Sequence, residues 1–133
     1  MVNLQYRSET STLLNESAGR LFASVSEQDI GGAELGQWAG ACWGQVAEAG
    51  FPLAFVSETA GGFGIEAAEA IQLVRIAGFY AAPIPLAETM LANRLLSEAG
   101  FEATSNPATF ASVSGGAAAL DRQGSGWRVR GRA

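Results

Sequence analysis

Apolar residues along this chain recur at helical spacing for most of its length and shift to strict alternation near the end. Leu13, Leu14, Ala18, Leu21, Phe22 and Val25 fall three and four positions apart, which predicts one face of a helix over residues 9–26. Ser8 or Thr10 is placed to cap its start. Glu16, Arg20 and Glu27 fall off that face and are expected in solvent. Asp29 to Gly32 interrupts the pattern with two glycines. A second helix is then predicted from Ala33 to Ala49, with Leu35, Trp38, Cys42 and Val46 as its stripe and Trp43 and Ala47 beside it. The two tryptophans fit as large core residues whose indole N–H groups lie near the surface. A third helix is predicted from Glu66 to Gly78, with Glu66 and Glu69 in its first turn, where the helix dipole favours negative charge. Its expected buried face is Ala67, Ala70, Ile71, Val74 and Ala77. Pro83 and Pro85 forbid continuation. A fourth helix starts after Pro85 and runs to Gly100, with Leu86, Met90, Leu91, Leu95 and Leu96 pointing inward.

The joints between these elements are glycines. Gly50 is placed to end the second helix in the left-handed conformation, with Phe51 folding back on its last turn. The same four residues, Glu-Ala-Gly-Phe, recur at 98–101, which is one capping device used twice. After Pro107 the texture changes: Phe110, Val113 and Leu120 are spaced by small residues and by Gly115-Gly116. Trp127-Arg128-Val129-Arg130 alternates apolar and charged, the pattern of a half-buried strand, with a turn at Gly124 to Gly126 before it. The expected fold class is therefore mainly α: a helical domain over residues 1–105, then the incomplete beginning of a β region over 106–133. Two or three isolated strands do not make a stable sheet. The expectation is that a partner completes the sheet, that the tail is loose, or that the chain is a piece of a longer protein.

Composition narrows the chemistry. With 133 residues, 48% of them hydrophobic and 16% charged, the chain can bury a real core. Residues 1–105 hold four Arg against twelve Glu and Asp, a net −8, whereas residues 106–133 hold four Arg and one Asp, a net +3. An acidic body argues against nucleic acid as a partner. There is no His and no Lys, which excludes Ser-His-Asp and Cys-His catalysis, His-ligated metals, Schiff-base chemistry and the phosphate-binding lysine of nucleotide loops. Cys42 is alone, so neither an intrachain disulfide nor a cysteine-cluster metal site is expected, and it fits as a packed core thiol. No secretory signal is visible in residues 1–20. The longest uncharged apolar stretch, Ile76 to Ala87, is too short to span a bilayer. A soluble, cytoplasmic chain with no membrane partner is expected.

Gly62-Phe63-Gly64-Ile65-Glu66-Ala67 formally matches the dinucleotide-binding pattern G-x-G-x-x-G/A. That chemistry needs a strand running straight into the glycines and an acidic residue about twenty positions on. Here Ser57 to Gly61 intervene, Ala82 stands at the acidic position, and Glu66 would put negative charge where a phosphate sits. Gly61, Gly62 and Gly64 are expected instead to form a structural turn between the second and third helices.

Three segments in order carry a family resemblance: Trp43-Gly-Gln-Val-Ala-Glu-Ala-Gly-Phe, then Val56-Ser-Glu-Thr-Ala-Gly-Gly-Phe-Gly, then Glu66-Ala-Ala-Glu-Ala. Together they resemble the N-terminal part of the acyl-CoA dehydrogenases, where a Trp-bearing helix ends in Gly before a Pro-Glu-Glu-Tyr-Gly-Gly-x-Gly turn and a helix rich in Ala and Glu. Ser57 stands for the usual Pro and Ala60 for the usual Tyr. Leu86 to Gly100 looks like that family's next helix, and Gly126-Trp127-Arg128-Val129-Arg130-Gly131-Arg132 like the strand that opens its middle β domain.

The resemblance implies an FAD-dependent flavoprotein that removes hydrogens from Cα and Cβ of an acyl-CoA thioester. In that family a carboxylate base takes the α proton and the flavin takes the β hydride. The fold implied is a helical domain, a β domain and a C-terminal four-helix domain, assembled as homo- or hetero-oligomers. The N-terminal helices wall the acyl pocket, so Pro83, Leu86, Ala87 and Met90 are the candidates for lining the distal acyl tail. The catalytic glutamate of the family lies in its C-terminal domain, and its flavin- and substrate-contacting Thr-Glu-Pro-x-x-Gly-Ser-Asp loop is not recognisable here. The corresponding region reads Ala108-Thr-Phe-Ala-Ser-Val-Ser-Gly-Gly. The expectation is a truncated chain with no assignable catalytic residue and no metal, inactive alone and not holding FAD by itself. Two alternatives stand beside it: a non-catalytic partner subunit of a heteromeric dehydrogenase, and a stand-alone helical module binding an apolar ligand.

Overall fold

The structure is a computed structural model, described here over residues 4–25, 27–110 and 119–131. It is mainly helical, with a small antiparallel hairpin. Helices α1 (Leu4–Phe22), α2 (Glu27–Glu34), α3 (Gly40–Glu48), α4 (Ala67–Phe79) and α5 (Leu86–Glu98) precede strands β1 (Ala119–Gln123) and β2 (Gly126–Arg130). Two single 3-10 turns, Phe51–Leu53 and Glu58–Ala60, lie between α3 and α4.

The core forms where α1 packs along α4 and α5 packs on the Phe51–Leu53 turn. Ala18 and Phe22 of α1, Val46 of α3, Phe51, Ala54 and Ile65 of the connection, Ala70, Leu73 and Ala77 of α4, and Leu86 and Met90 of α5 form one buried cluster. Full burial of a side chain of the size of Phe, Leu or Met contributes roughly 1.5–3 kcal/mol, so these larger members dominate what holds the helices together.

Several expected boundaries move. α1 begins at Leu4 rather than residue 9, because residues 4–8 contain no Gly or Pro to stop it. Ser8 and Thr10 therefore lie inside the helix and are not its caps. Gly31 and Gly32 do not break the chain; they lie within α2. Glycine inside a helix costs about 1 kcal/mol relative to alanine but does not terminate it. The stop is Gly36, whose φ of 79° lets its N–H reach Ala33 O (2.9 Å) while Gln37 N–H reaches Gly32 O (2.9 Å). That pair of bonds is the Schellman closure of a helix end. The expected single helix from Ala33 to Ala49 is thus two, and its stripe splits. Cys42 and Val46 are buried, whereas Leu35 and Trp38 are exposed in and beside the break.

On α4 the inward face is Ala70, Leu73 and Ala77. Ala67 and Ile71, expected to be buried, are exposed, and Val74 packs only partly against the core. α4 starts with Glu66 N–H donating to Oε2 of Glu69 (2.7 Å), which satisfies one of the helix's orphan donors. It ends in the same Schellman closure, Ala81 N–H to Gly78 O (3.0 Å) and Ala82 N–H to Ala77 O (3.0 Å). Here the left-handed position is held by an alanine, at φ 50°.

Strand β2 is present as expected but is not half-buried; Trp127 and Val129 are both exposed. β1 pairs with it in register from Ala119 opposite Arg130 to Gln123 opposite Gly126. Val113 and Gly115-Gly116 lie outside the described residues. No described helix is long and apolar enough to cross a membrane.

Candidate functional site

The connection from Gly50 to Glu66 is tied together by its own backbone hydrogen bonds. Val56 N–H bonds Leu53 O (3.0 Å), Gly62 N–H bonds Ser57 O (3.0 Å), Gly64 N–H bonds Val56 O (2.8 Å), and Ile65 N–H bonds Ala54 O (3.2 Å). Gly62 sits where a Cβ would meet Val56 O at 2.2 Å and Leu53 O at 2.4 Å. Any side chain there would have to displace the backbone itself. Gly61 and Gly64 flank it at φ 86° and 64°. The three glycines therefore build the turn, and the carbonyls of Leu53 and Val56 occupy the space beside Gly62.

An open cleft of about 550 Å³ lies between this turn and α1. Its lining is Leu13, Leu14 and Ser17 from α1, Ala49 and Phe51 from the end of α3, and Glu58, Gly62 and Phe63 from the turn. Apolar side chains dominate the wall, with Glu58 the single carboxylate among them.

Pro83, Leu86, Ala87 and Met90 sit together around the start of α5 but do not share a surface. Leu86 and Met90 are in the core cluster, Pro83 is half-buried and Ala87 is exposed. None of the four lines the cleft beside α1.

What hydrophobic spacing missed is a polar seam on α5. Leu91 and Leu95, expected to point inward, are exposed, and Thr89, Ala92 and Asn93 are buried beside Leu86 and Met90. Asn93 donates from Nδ2 to Pro52 O (2.9 Å) and Thr104 O (2.8 Å), and its Oδ1 accepts from Thr104 N–H (2.9 Å). Thr89 Oγ1 donates to Ala108 O (3.0 Å) and accepts from Ala108 N–H (3.0 Å). Trp43 Nε1 donates to Ser105 O (3.2 Å). Three side chains thus hold an irregular segment against the helices. The available signal was Thr89 and Asn93 at a four-residue step among the apolar positions Leu86, Met90 and Leu96.

Cys42 is buried, and its thiol is pushed above its ordinary value, first by desolvation and then by the negative charge of Asp29. That environment suppresses thiolate and fits packing rather than nucleophilic chemistry. Among the described residues no group of three or more His, Cys, Asp or Glu could hold a metal ion.

The glycine turn does not fit the pyrophosphate of FAD. A flavin pyrophosphate needs backbone N–H groups and cations, whereas the glycine turn is closed by its own carbonyls and followed by Glu66 and Glu69. Compared with protein-family models, with curated proteins and with solved structures, the chain has no significant match to any of them.

Proposed function

We propose that this chain is the helical acyl-pocket portion of an acyl-CoA dehydrogenase-like flavoprotein, with FAD and the catalytic base held by groups outside its described residues. The observation that supports this is the connection from Val56 to Glu66. A Trp-bearing helix closes on Gly50, each of three glycines has a separate backbone role in the turn, and an Ala- and Glu-rich helix follows. That order matches the family resemblance carried by the same residues. In this reading Pro83 and Ala87 offer surface to the distal acyl tail, while the buried Leu86 and Met90 fix the start of α5 behind them.

The cleft beside α1 favours a second reading, a helical module that takes an apolar ligand between Leu13, Leu14, Phe51 and Phe63. One experiment separates the two. The purified chain is titrated calorimetrically with acyl-CoA thioesters of increasing chain length, with free CoA and with the matching fatty acids, and its visible spectrum is recorded. The first reading expects acyl-CoA binding that strengthens with acyl length and falls on Ala87→Asp, with no flavin absorbance. Fatty acids binding as tightly as their CoA thioesters, and lost on Phe63→Asp instead, would establish the second reading. Flavin absorbance near one equivalent per chain would overturn the first.

A further inference from the structure

The cleft between α1 and the glycine turn is apolar except at two side chains. Leu13, Leu14, Phe51 and Phe63 form its walls, and among its described lining residues only Ser17 and Glu58 have polar side chains. The lining runs from Phe51, a buried core residue, out to Leu13 and Phe63, which are exposed. Its volume of about 550 Å³ falls within the range, about 300–1,000 Å³, of concave sites that take small molecules.

The two polar groups differ in what they have left to offer. Ser17 Oγ accepts from Nη2 of Arg20 (3.3 Å), and Arg20 is also paired with Glu16 (3.9 Å). Arg20 itself does not line the cleft. Glu16, Glu98 and Asp121 are paired with Arg20, Arg94 and Arg130, and Glu69 accepts from Glu66 N–H. Among the described residues no ion pair or side-chain hydrogen bond engages the Glu58 carboxylate in this way. Its side chain lies against Gly64, where a Cβ would stand 3.3 Å from Cγ, so the absence of a side chain at Gly64 leaves it that room. The surrounding field has the same sign, since residues 1–105 carry a net −8.

We propose that the cleft takes a cationic amphiphile. Its apolar chain lies between Leu13, Leu14, Phe51 and Phe63, and its ammonium head donates to the Glu58 carboxylate. An exposed carboxylate needs no partner in water, but a chain laid in this cleft brings its head group beside Glu58. An anionic head is repelled there, a neutral one gains little, and an ammonium forms a charge-assisted hydrogen bond. This inference rests on the second reading above, that the cleft holds an apolar chain, and adds the chemistry of the head group.

Calorimetric titration of the full chain with decylammonium, decanol and decanoate tests it, at neutral pH, in low salt and below the concentrations at which these form micelles. Decylammonium should bind most tightly and decanoate most weakly, with about three- to five-fold between successive head groups, the scale of an exposed ion pair. High salt should narrow the spread. Glu58→Gln should bring decylammonium and decanol to within about two-fold of each other. Glu34→Gln removes the same charge from an exposed position on α2 that does not line the cleft, and should leave the ranking unchanged. Leu13→Asn should weaken all three ligands, and because Leu13 is 63% exposed, circular dichroism should report an unchanged fold. Decanol that does not bind, or that ignores Leu13→Asn, would overturn the cleft reading and this inference together. Decanol that binds and responds to Leu13→Asn, with head groups that rank equally, rank the same after Glu58→Gln, or lose their ranking equally on Glu34→Gln, would overturn this inference alone.

Discussion

The chain contains the sequence Glu-Ala-Gly-Phe twice, and the two copies share the turn at their glycine but differ in burial. At Glu48–Phe51 and at Glu98–Phe101 the glycine takes the left-handed conformation, φ 77° and 81°, and its N–H returns to the carbonyl three residues back, 3.0 and 3.1 Å away. Four residues are enough to specify that geometry. Burial is another matter. Phe51 is 1% exposed, 6.2 Å from the Phe22 ring, and starts the turn on which α5 packs. Phe101 is 67% exposed. The glycines differ in the same way: a Cβ on Gly50 would lie 2.7 Å from Cζ of Phe63, whereas one on Gly100 would meet nothing within 4 Å. Local sequence sets the hydrogen bonds of a helix end, and only the elements arriving from elsewhere in the chain decide what that end carries.

The largest effect that can sharpen this contrast comes from the phenylalanines. Phe51→Ala removes a buried ring and should cost about 3–5 kcal/mol in chemical denaturation, while Phe101→Ala should stay within about 0.5 kcal/mol of the parent. Equal losses at the two sites would mean that the caps are energetically alike and the contrast false. The glycines come next. Gly50→Ala and Gly100→Ala should each cost about 1–2 kcal/mol for placing alanine in the left-handed region. Gly50→Ala alone should also displace the Phe63 ring and change ligand access to the α1 cleft, readable as altered quenching or binding there. The smallest effect has the opposite sign. Ala81 closes α4 with the same bonds but without glycine, so Ala81→Gly should raise stability by up to about 1 kcal/mol, less what the freer unfolded chain takes back. A destabilised Ala81→Gly would show that the capping geometry at α4 is imposed by packing rather than by local preference.

Legibility in the sequence follows the same division. Helix ends at Gly50 and Gly100 could be read because the device is local. The end at Gly36 could not, because Gly31-Gly32 is the louder signal and because Leu35, Trp38, Cys42 and Val46 keep helical spacing straight across the break. Apolar spacing found Leu86 and Met90 on α5 but assigned Leu91 and Leu95 to the core in place of Thr89 and Asn93. Those two are buried only because a distant segment supplies matching donors and acceptors, and a hydrophobic pattern has no means of registering that. The alternation at Trp127 to Arg130 marked a strand correctly, yet alternation states which residues share a face and not whether anything covers it. For the candidate site, the turn glycines were legible from their crowding. The cleft beside α1 was not, since its walls come from three separate parts of the chain.

The seam on α5 has one more consequence. Asn93 and Thr89 each present a donor and an acceptor to a backbone pair, Thr104 and Ala108, as the edge of a sheet would. A helix is thus standing in for a neighbouring strand. The amides of Thr104 and Ala108 belong to no regular element, yet each donates to a side chain of α5 and should exchange slowly while α5 keeps its place. Their exchange therefore times the separation of α5 from the segment that follows it, and an irregular stretch of chain becomes a clock for the opening of the helical body.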